Sequence, residues 1–270
     1  LALARNIPQA HGSLMVDQAW ERKAFTGVEL YGKTIGIAGL GKIGSRVAAR
    51  CRAFEMQVLA YDPYISAERA AALDVELMDD LDALLAKSDF ISLHMPNTPQ
   101  TRNLMNAERL KNTKPGARII NCARGNLIDE VALADALRSG HIAGAALDVF
   151  EVEPTTKENC PLLGLDNFIC TPHLGASTSE AQENVAVAIA KQISEYLRNG
   201  VVSNAVNVPS VSSDVLSKVG PYLTLAVMLG FFHRQIDKGG VEEVNLEYIG
   251  DFEDLTIGPI TVAFLKGLFT

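Results

Sequence analysis

Thr34-Ile-Gly-Ile-Ala-Gly-Leu-Gly-Lys-Ile-Gly44 is the stretch on which the reading of this chain turns. Thr34 to Ala38 is a short apolar run of strand character. It leads straight into Gly39, Gly41 and Gly44. From Lys42 to Phe54 the pattern changes, and Ile43, Val47, Ala48 and Cys51 fall on one face at helical spacing. A lone G-x-G-x-x-G is a weak signal, but between a strand and a helix each glycine has its own task. Gly39 permits a tight turn, Gly41 removes a side chain where a pyrophosphate must approach the backbone, and Gly44 lets the helix pack close. The helix N-terminus adds unpaired N–H groups and a partial positive charge for the anion.

The next strand, Gln57–Tyr61, ends at Asp62, at about the 20-residue distance expected for the acid of a dinucleotide fingerprint. A carboxylate there accepts hydrogen bonds from both ribose hydroxyls of an adenosine and repels a 2′-phosphate, so the pattern points to NAD rather than NADP. The structural alternative is that Asp62 only caps the turn into Pro63.

Outward from this unit, strands and helices keep alternating. Ser66 is placed to cap a helix over Ala67–Leu73, and Asp79 or Asp80 one over Leu81–Lys87. Asp89–His94, Ala117–Asn121, Ala143–Val149 and Asn167–Cys170 read as strands, and Asp129 opens a helix to Arg138. Ser177 opens a long helix to about Leu197, and residues 13–25 upstream read as another helix. This alternation predicts an α/β fold with a doubly wound parallel sheet and right-handed crossovers. The expected organisation is an NAD-binding domain over 1–200 with a return helix to a mostly missing substrate domain, a linker over 201–213, and a partial C-terminal domain over 214–270. In that last part Val215–Ile236 reads as a helix, Val241–Ile249 alternates like a strand, and Pro259–Leu268 reads as a helix. The chain opens mid-pattern without Met, so upstream sequence is expected, in which a targeting peptide could sit.

Composition mainly excludes. A net charge of −8 with both signs scattered offers no basic run for a phosphate backbone, so nucleic acid is not an expected partner. With 48% hydrophobic residues the chain can bury a core, yet no apolar run approaches a membrane span of about 20 residues. Cys51, Cys122, Cys160 and Cys170 form neither a C-x-x-C pair nor a zinc-finger pattern; they read as buried free thiols of a reducing, cytoplasmic compartment, with no metal site.

Hydride chemistry asks the protein for a cation to hold a substrate carboxylate, an acid/base for the hydroxyl proton, and a group to orient that acid/base. Arg124, just past a strand end in Asn-Cys-Ala-Arg-Gly125, offers a bidentate fork for a carboxylate, whereas Arg138 lies on a helix and reads as solvated. His173, after the last strand, is the acid/base candidate, and Glu153, after the strand before it, its partner. A carboxylate beside an imidazole fixes the tautomer and keeps a proton on the ring. His11 and His233 fall on helices and His141 in a turn, which leaves His94, at a strand end, as the rival. Each residue also has a plain structural reading; what favours the functional one is that all three follow strands on one expected crevice.

Gly-Leu-Gly-Lys-Ile-Gly44, Asn-Cys-Ala-Arg-Gly125, Ala-Leu-Asp-Val-Phe150 with Glu153-Pro154, and Pro-His-Leu-Gly-Ala-Ser-Thr178 together resemble the signatures of the D-2-hydroxyacid dehydrogenases. They stand in family order and spacing over about residues 1–208. The resemblance implies Arg124 as carboxylate binder, Glu153 as histidine partner and His173 as acid/base. It also implies NAD contacts at Lys42, Ile43, Asp62, Met95, Cys122, Ala123, Arg124, Asp148, His173, Leu174, Gly175 and Ala176. At Met95, where many members carry Thr, only a backbone contact is implied. The opening Leu-Ala-Arg-Asn-Ile-Pro-Gln-Ala10, Trp20-Glu-Arg-Lys23, Asn204-Ala-Val-Asn-Val-Pro209 and Pro221-Tyr-Leu-Thr-Leu-Ala226 are most similar to the branch that oxidises 3-phosphoglycerate to 3-phosphohydroxypyruvate, the first step of serine synthesis. Arg22 and Lys23 then read either as solvated helix charges or as attractors of the substrate phosphate. The segment around 9–30 is implied in a dimer contact, and a homodimer or homotetramer is expected. Two other readings stay open: another member of the family, such as a hydroxypyruvate or glyoxylate reductase, and an NADH-sensing corepressor on the same fold.

Overall fold

The computed structural model describes residues 1–199, 202–205, 213–236, 239–241, 243–250 and 257–269. They divide into two compact units, Leu1–Ser177 and Thr178–Thr270.

The first unit is built on seven parallel strands: β1 (Thr34–Ala38), β2 (Gln57–Tyr61), β3 (Glu76–Leu77), β4 (Phe90–Leu93), β5 (Ala117–Asn121), β6 (Ile142–Leu147) and β7 (Phe168–Cys170). Their spatial order is β3-β2-β1-β4-β5-β6-β7, which reverses direction between β1 and β4. The helices are α1 (Ile7–Met15), α2 (Gly44–Ala53), α3 (Ala67–Ala72), α4 (Leu81–Lys87), α5 (Ala107–Asn112) and α6 (Glu130–Arg138).

Both faces of the sheet are covered, which is why its strands are apolar almost throughout. Ile35 and Ile37 point to the face where α2 and α3 contribute Ala48 and Ala70. Ala38 and Ile91 belong to the opposite cluster, filled by Leu84 and Leu85 of α4, Leu110 of α5 and Leu133 of α6. Each of the Ile and Leu side chains, fully buried, is worth about 1.5–3 kcal/mol in transfer free energy. At Gly36 a Cβ would come within 2.4 Å of Leu84 and 2.3 Å of Ser88 Oγ, so α4 packs directly on the β1 backbone. The helix starts follow local chemistry: Ser66, Asp80, Asn106 and Asp129 each accept from a backbone N–H in the first turn of α3, α4, α5 and α6.

The register aligns the C-terminal ends. Ala38 pairs with Tyr61 and Leu93, Leu93 with Asn121, Asn121 with Leu147, and Leu147 with Cys170. The residues just beyond, Gly39, Asp62, His94, Cys122, Asp148 and Thr171, therefore form a row along one edge of the sheet.

Several expectations are corrected. The helix expected over 13–25 is instead α1, ending at Met15, and 16–25 are turns and irregular chain. Pro8 supplies the fixed φ of a first helical turn, a stronger start than the mixed pattern downstream. Ile43 is 63% exposed as the residue before α2 and does not share the buried face of Ala48. Arg22 and Lys23 are exposed but not helical. β3 has only two residues, too few for periodicity to register, and α5 starts from the Asn106 cap rather than from a periodic pattern. All four cysteines are free, but Cys122 and Cys170 are exposed and only Cys160 is buried.

The second unit contains α7 (Ser179–Asn199), α8 (Ser213–Ile236) and α9 (Gly258–Phe269). Thr178, not Ser177, caps α7, its hydroxyl accepting from Ala181 N–H. α8 and α9 cross where Gly230 and Gly267 meet the opposing backbone; a Cβ at either would lie 2.1 Å from a carbonyl oxygen. Among the described residues of 241–249 there is no strand; alternation without a partner strand does not make a sheet. The expected linker falls largely outside the described residues. No described helix is long and apolar enough to cross a membrane.

Candidate active site

The crevice outside the strand ends at the β1/β4 reversal is where open α/β sheets bind ligands. Gly39 there has φ +97°, and a Cβ on it would sit 2.6 Å from the His94 carbonyl oxygen. At Gly44 a Cβ would meet the Gly39 carbonyl oxygen at 2.0 Å, so the start of α2 is pressed onto the loop itself. Gly41 is different: nothing lies within 4 Å of its Cβ position. Packing does not demand glycine there, which fits a position kept bare for a ligand that approaches the backbone. Asp62 does two things at once. Its Oδ2 accepts from Leu40 N–H at 2.8 Å and its Oδ1 from Tyr64 N–H at 3.0 Å, bracing the glycine loop and the turn, while each oxygen retains a lone pair. Lys42 and Ile43 are exposed beside the loop, and Met95 is buried under it.

Past β5, the fully buried Asn121 shapes the next loop. Its Oδ1 accepts from Ala123 N–H at 3.0 Å and its Nδ2 donates to the Arg124 carbonyl at 2.8 Å. Cys122 and Arg124 are exposed at its tip; partial desolvation of the thiol by its neighbours, and after it the charge of Asp148, push the Cys122 thiol up. Gly125 allows a close crossing: a Cβ on it would lie 1.8 Å from the Phe150 carbonyl oxygen. The loop carrying Arg124 thus rests on the loop that leads to Glu153.

Glu153 and His173 meet as expected, with Glu153 Oε2 2.8 Å from His173 Nδ1. The other oxygen, Oε1, accepts from Phe150 N–H at 3.0 Å. The hydrogen bond with His173 and that backbone bond hold the Glu153 carboxyl below the usual carboxylate range. An ionised carboxylate only accepts, so the shared proton lies on Nδ1 and Nε2 is left to exchange a proton. His173 has φ +54°, a region costly for a side chain with a Cβ, by about 1–3 kcal/mol. Asp148 offsets that cost from both sides. Its Oδ1 accepts from the Thr171 hydroxyl and from Leu174 N–H at 2.8 Å, and its Oδ2 accepts from Gly175 N–H at 2.8 Å. Burial opposes its charge, but these hydrogen bonds and the nearby His173 outweigh that and lower its pKa.

His94, the rival, has no carboxylate partner among the described residues: its Nε2 pairs with Ser92 Oγ at 2.9 Å, and burial lowers its pKa. A cleft of about 660 Å³ lies beside the His173–Glu153 pair, walled by Phe150, Pro154, Leu163 and Pro172. Sequence reasoning missed Asn121 and Gly125 as builders of this site. The available signals were a polar residue closing an apolar strand and a glycine directly after the candidate cation.

A sheet of this order, with a glycine turn and an acid at the reversal, defines a Rossmann dinucleotide-binding protein, here with an imidazole–carboxylate pair beside the crevice. Residues 1–175 match the family described as D-isomer specific 2-hydroxyacid dehydrogenase, NAD binding domain, and residues 218–270 the D-3-phosphoglycerate dehydrogenase intervening domain. The chain belongs to the D-isomer specific 2-hydroxyacid dehydrogenase family. Over its whole length it is 50% identical to D-3-phosphoglycerate dehydrogenase of Methanocaldococcus jannaschii and 49% identical to that of Synechocystis, covering 51% and 48% of those proteins. It spans about half the length of the curated relatives it matches. Among solved structures, it is similar to a glyoxylate reductase from Paecilomyes thermophila (TM-score 0.69, 32% identity, 76% of this chain and 61% of that one). It is also similar to D-lactate dehydrogenase from Aquifex aeolicus complexed with NAD and lactic acid (0.66, 32%, 73% and 63%).

Proposed function

We propose that this chain carries the NAD-binding and acid–base machinery of an enzyme that oxidises 3-phosphoglycerate to 3-phosphohydroxypyruvate, the first step of serine biosynthesis. The observation that carries this reading is the 2.8 Å His173–Glu153 pair, set beyond the same sheet edge as the glycine loop and the Arg124 loop. The phosphorylated substrate is supported by the names of the similar proteins and by the match of residues 218–270 to the intervening domain.

Gly39, Gly41, Gly44 and Asp62 fit a dinucleotide, with Lys42, Ile43, Met95, Cys122, Ala123, Asp148 and Leu174 to Ala176 as its further contacts. NAD, when bound, supplies the hydride acceptor. Arg124 holds the substrate carboxylate in a bidentate grip. His173 Nε2 takes the proton of the C2 hydroxyl as that carbon is oxidised, and returns one to the carbonyl oxygen in the reverse direction. Glu153 holds the ring in the tautomer that leaves Nε2 available and stabilises the imidazolium that forms.

The domain organisation follows: an NAD-binding domain over 1–200, a linker over 201–213 and an intervening or regulatory region over 214–270. The working assembly is a homodimer or homotetramer in the cytoplasm, with Arg22 and Lys23 attracting the substrate phosphate. The test follows NADH oxidation by the full gene product with 3-phosphohydroxypyruvate, and with pyruvate, glyoxylate and hydroxypyruvate as competitors. Turnover confined to the phosphorylated substrate, and lowered by about 10²–10⁴ in His173→Ala, supports the reading. Preference for an unphosphorylated keto acid moves the enzyme to another branch of the family. NADH binding with no turnover of any keto acid overturns the enzymatic reading in favour of a sensor.

A further inference from the structure

Glu130 is a buried acid, 5% exposed, at the first position of α6, immediately after the loop that carries Arg124. Its Oε1 accepts a hydrogen bond from Glu151 N–H at 2.7 Å, joining the start of α6 to the loop after β6. Burial first, and the charge of the nearby Glu130 carboxyl after it, push the Cys160 thiol up to about 11. The Cys160 amide in turn bonds Thr156 O at 3.1 Å. The bond from Glu151 N–H therefore pins the segment 150–153, which ends in Glu153, while Leu163 further along the chain walls the cleft.

We propose that Glu130 is a positioning residue for the acid–base pair, fixing the 150–153 loop so that Glu153 reaches His173. This rests on the functional reading above and adds to it a residue two hydrogen-bond steps from the imidazole. Glu153 is anchored within its own loop by Phe150 N–H at 3.0 Å. That loop must itself be held: Gly125 lies beneath Phe150, Glu130 accepts from Glu151 N–H, and Arg102 stands 3.8 Å from the Glu151 carboxylate, an ion pair between exposed side chains that contributes little. Gly125 only allows close approach, whereas Glu130 supplies a directional bond. Removing the carboxyl also leaves the part-buried Glu151 N–H without its acceptor, which favours a shift of the loop toward water.

The experiment compares Glu130→Ala with Glu130→Gln, which keeps an acceptor at the Oε1 position. The first readout does not depend on turnover: the hydrogen-bonded His173 Nδ1–H proton, followed by NMR at low temperature. It is expected to be present in the wild type and in Glu130→Gln and to be lost in Glu130→Ala. The second readout is kinetic. Glu130→Ala is expected to lower kcat by about 10- to 100-fold, the scale of a misplacement of about 1 Å, with the NAD KM changed less than about threefold. Glu130→Ala combined with Glu153→Gln is expected to be no slower than Glu153→Gln alone, because the first change acts through the second. Persistence of the Nδ1–H signal in a folded Glu130→Ala overturns the proposal, and so do losses that multiply in the double variant. If the wild type turns over no keto acid, the functional reading fails by itself, and the NMR comparison still decides whether Glu130 positions the pair.

Discussion

Replacing Gly44 and Gly41 by alanine, one at a time, separates packing from ligand approach within a single loop. At Gly44 the new methyl would stand 2.0 Å from the Gly39 carbonyl oxygen, with Ile37 Cγ2 at 3.4 Å behind it. A relaxed contact needs more than 3 Å, so either the loop or the start of α2 must move by about 1 Å, an overpacking change that costs about 1–3 kcal/mol. For the first unit, 177 residues by its bounds, that cost lowers Tm by roughly 2–12 °C. At Gly41 the methyl meets nothing within 4 Å, and φ there does not require glycine, so stability should stay within about 0.5 kcal/mol of wild type. NADH affinity should nevertheless fall by at least about tenfold, or 1.4 kcal/mol, because the methyl stands where the pyrophosphate approaches the amides. Thermal unfolding without cofactor and NADH titration by fluorescence read the two effects on the same preparations. An undiminished affinity in Gly41→Ala would refute the placement of the pyrophosphate on this loop. An unchanged Tm in Gly44→Ala would refute the packing argument.

Two further outcomes follow from the carboxylates. Asp148 has a lowered pKa when folded, so its contribution to stability is present above the unfolded carboxylate value of about 4 and is lost as pH falls through the folded one. Asp148→Asn, whose amide cannot accept all three hydrogen bonds, should cost about 1–3 kcal/mol at pH 7 and flatten the loss of stability below about pH 4; denaturant titrations at pH 3 to 7 with an unaltered slope would count against the clamp. Asp62→Ala removes the acid proposed for the ribose together with its bonds to Leu40 and Tyr64. It should weaken NADH more than NADPH and narrow the ratio of their affinities by at least about tenfold; an unchanged ratio would show that Asp62 only braces the loop.

Much of this site lay open in the sequence because its key residues follow strands directly. Once β1, β5, β6 and β7 are found, Gly39, Arg124, Glu153 and His173 must gather at one edge, since parallel strands in register carry their C-terminal ends together. The roles inside the site were less legible. Asp148 reads as a cofactor contact, yet the three hydrogen bonds it accepts come from 23 to 27 residues away and fix the His173 backbone. Glu130 reads as an ordinary acid in a first helical turn, where its charge would suit the helix dipole, and nothing local announces that Glu151 will arrive beneath it.

By itself the sequence determined the alternation of strands and helices, the glycine turn with its acid, and the choice of Glu153 and His173 as candidates for a pair. Those properties are written in local periodicity and in residue types that few other tasks require. Only the tertiary structure decided the β3-β2-β1-β4-β5-β6-β7 order, which segments of 13–25 and 241–249 fail to form regular elements, and that His94 turns to Ser92 rather than to a carboxylate. Each of these depends on what a segment finds to pack against or bond with across the fold, and a one-dimensional pattern carries no record of that partner.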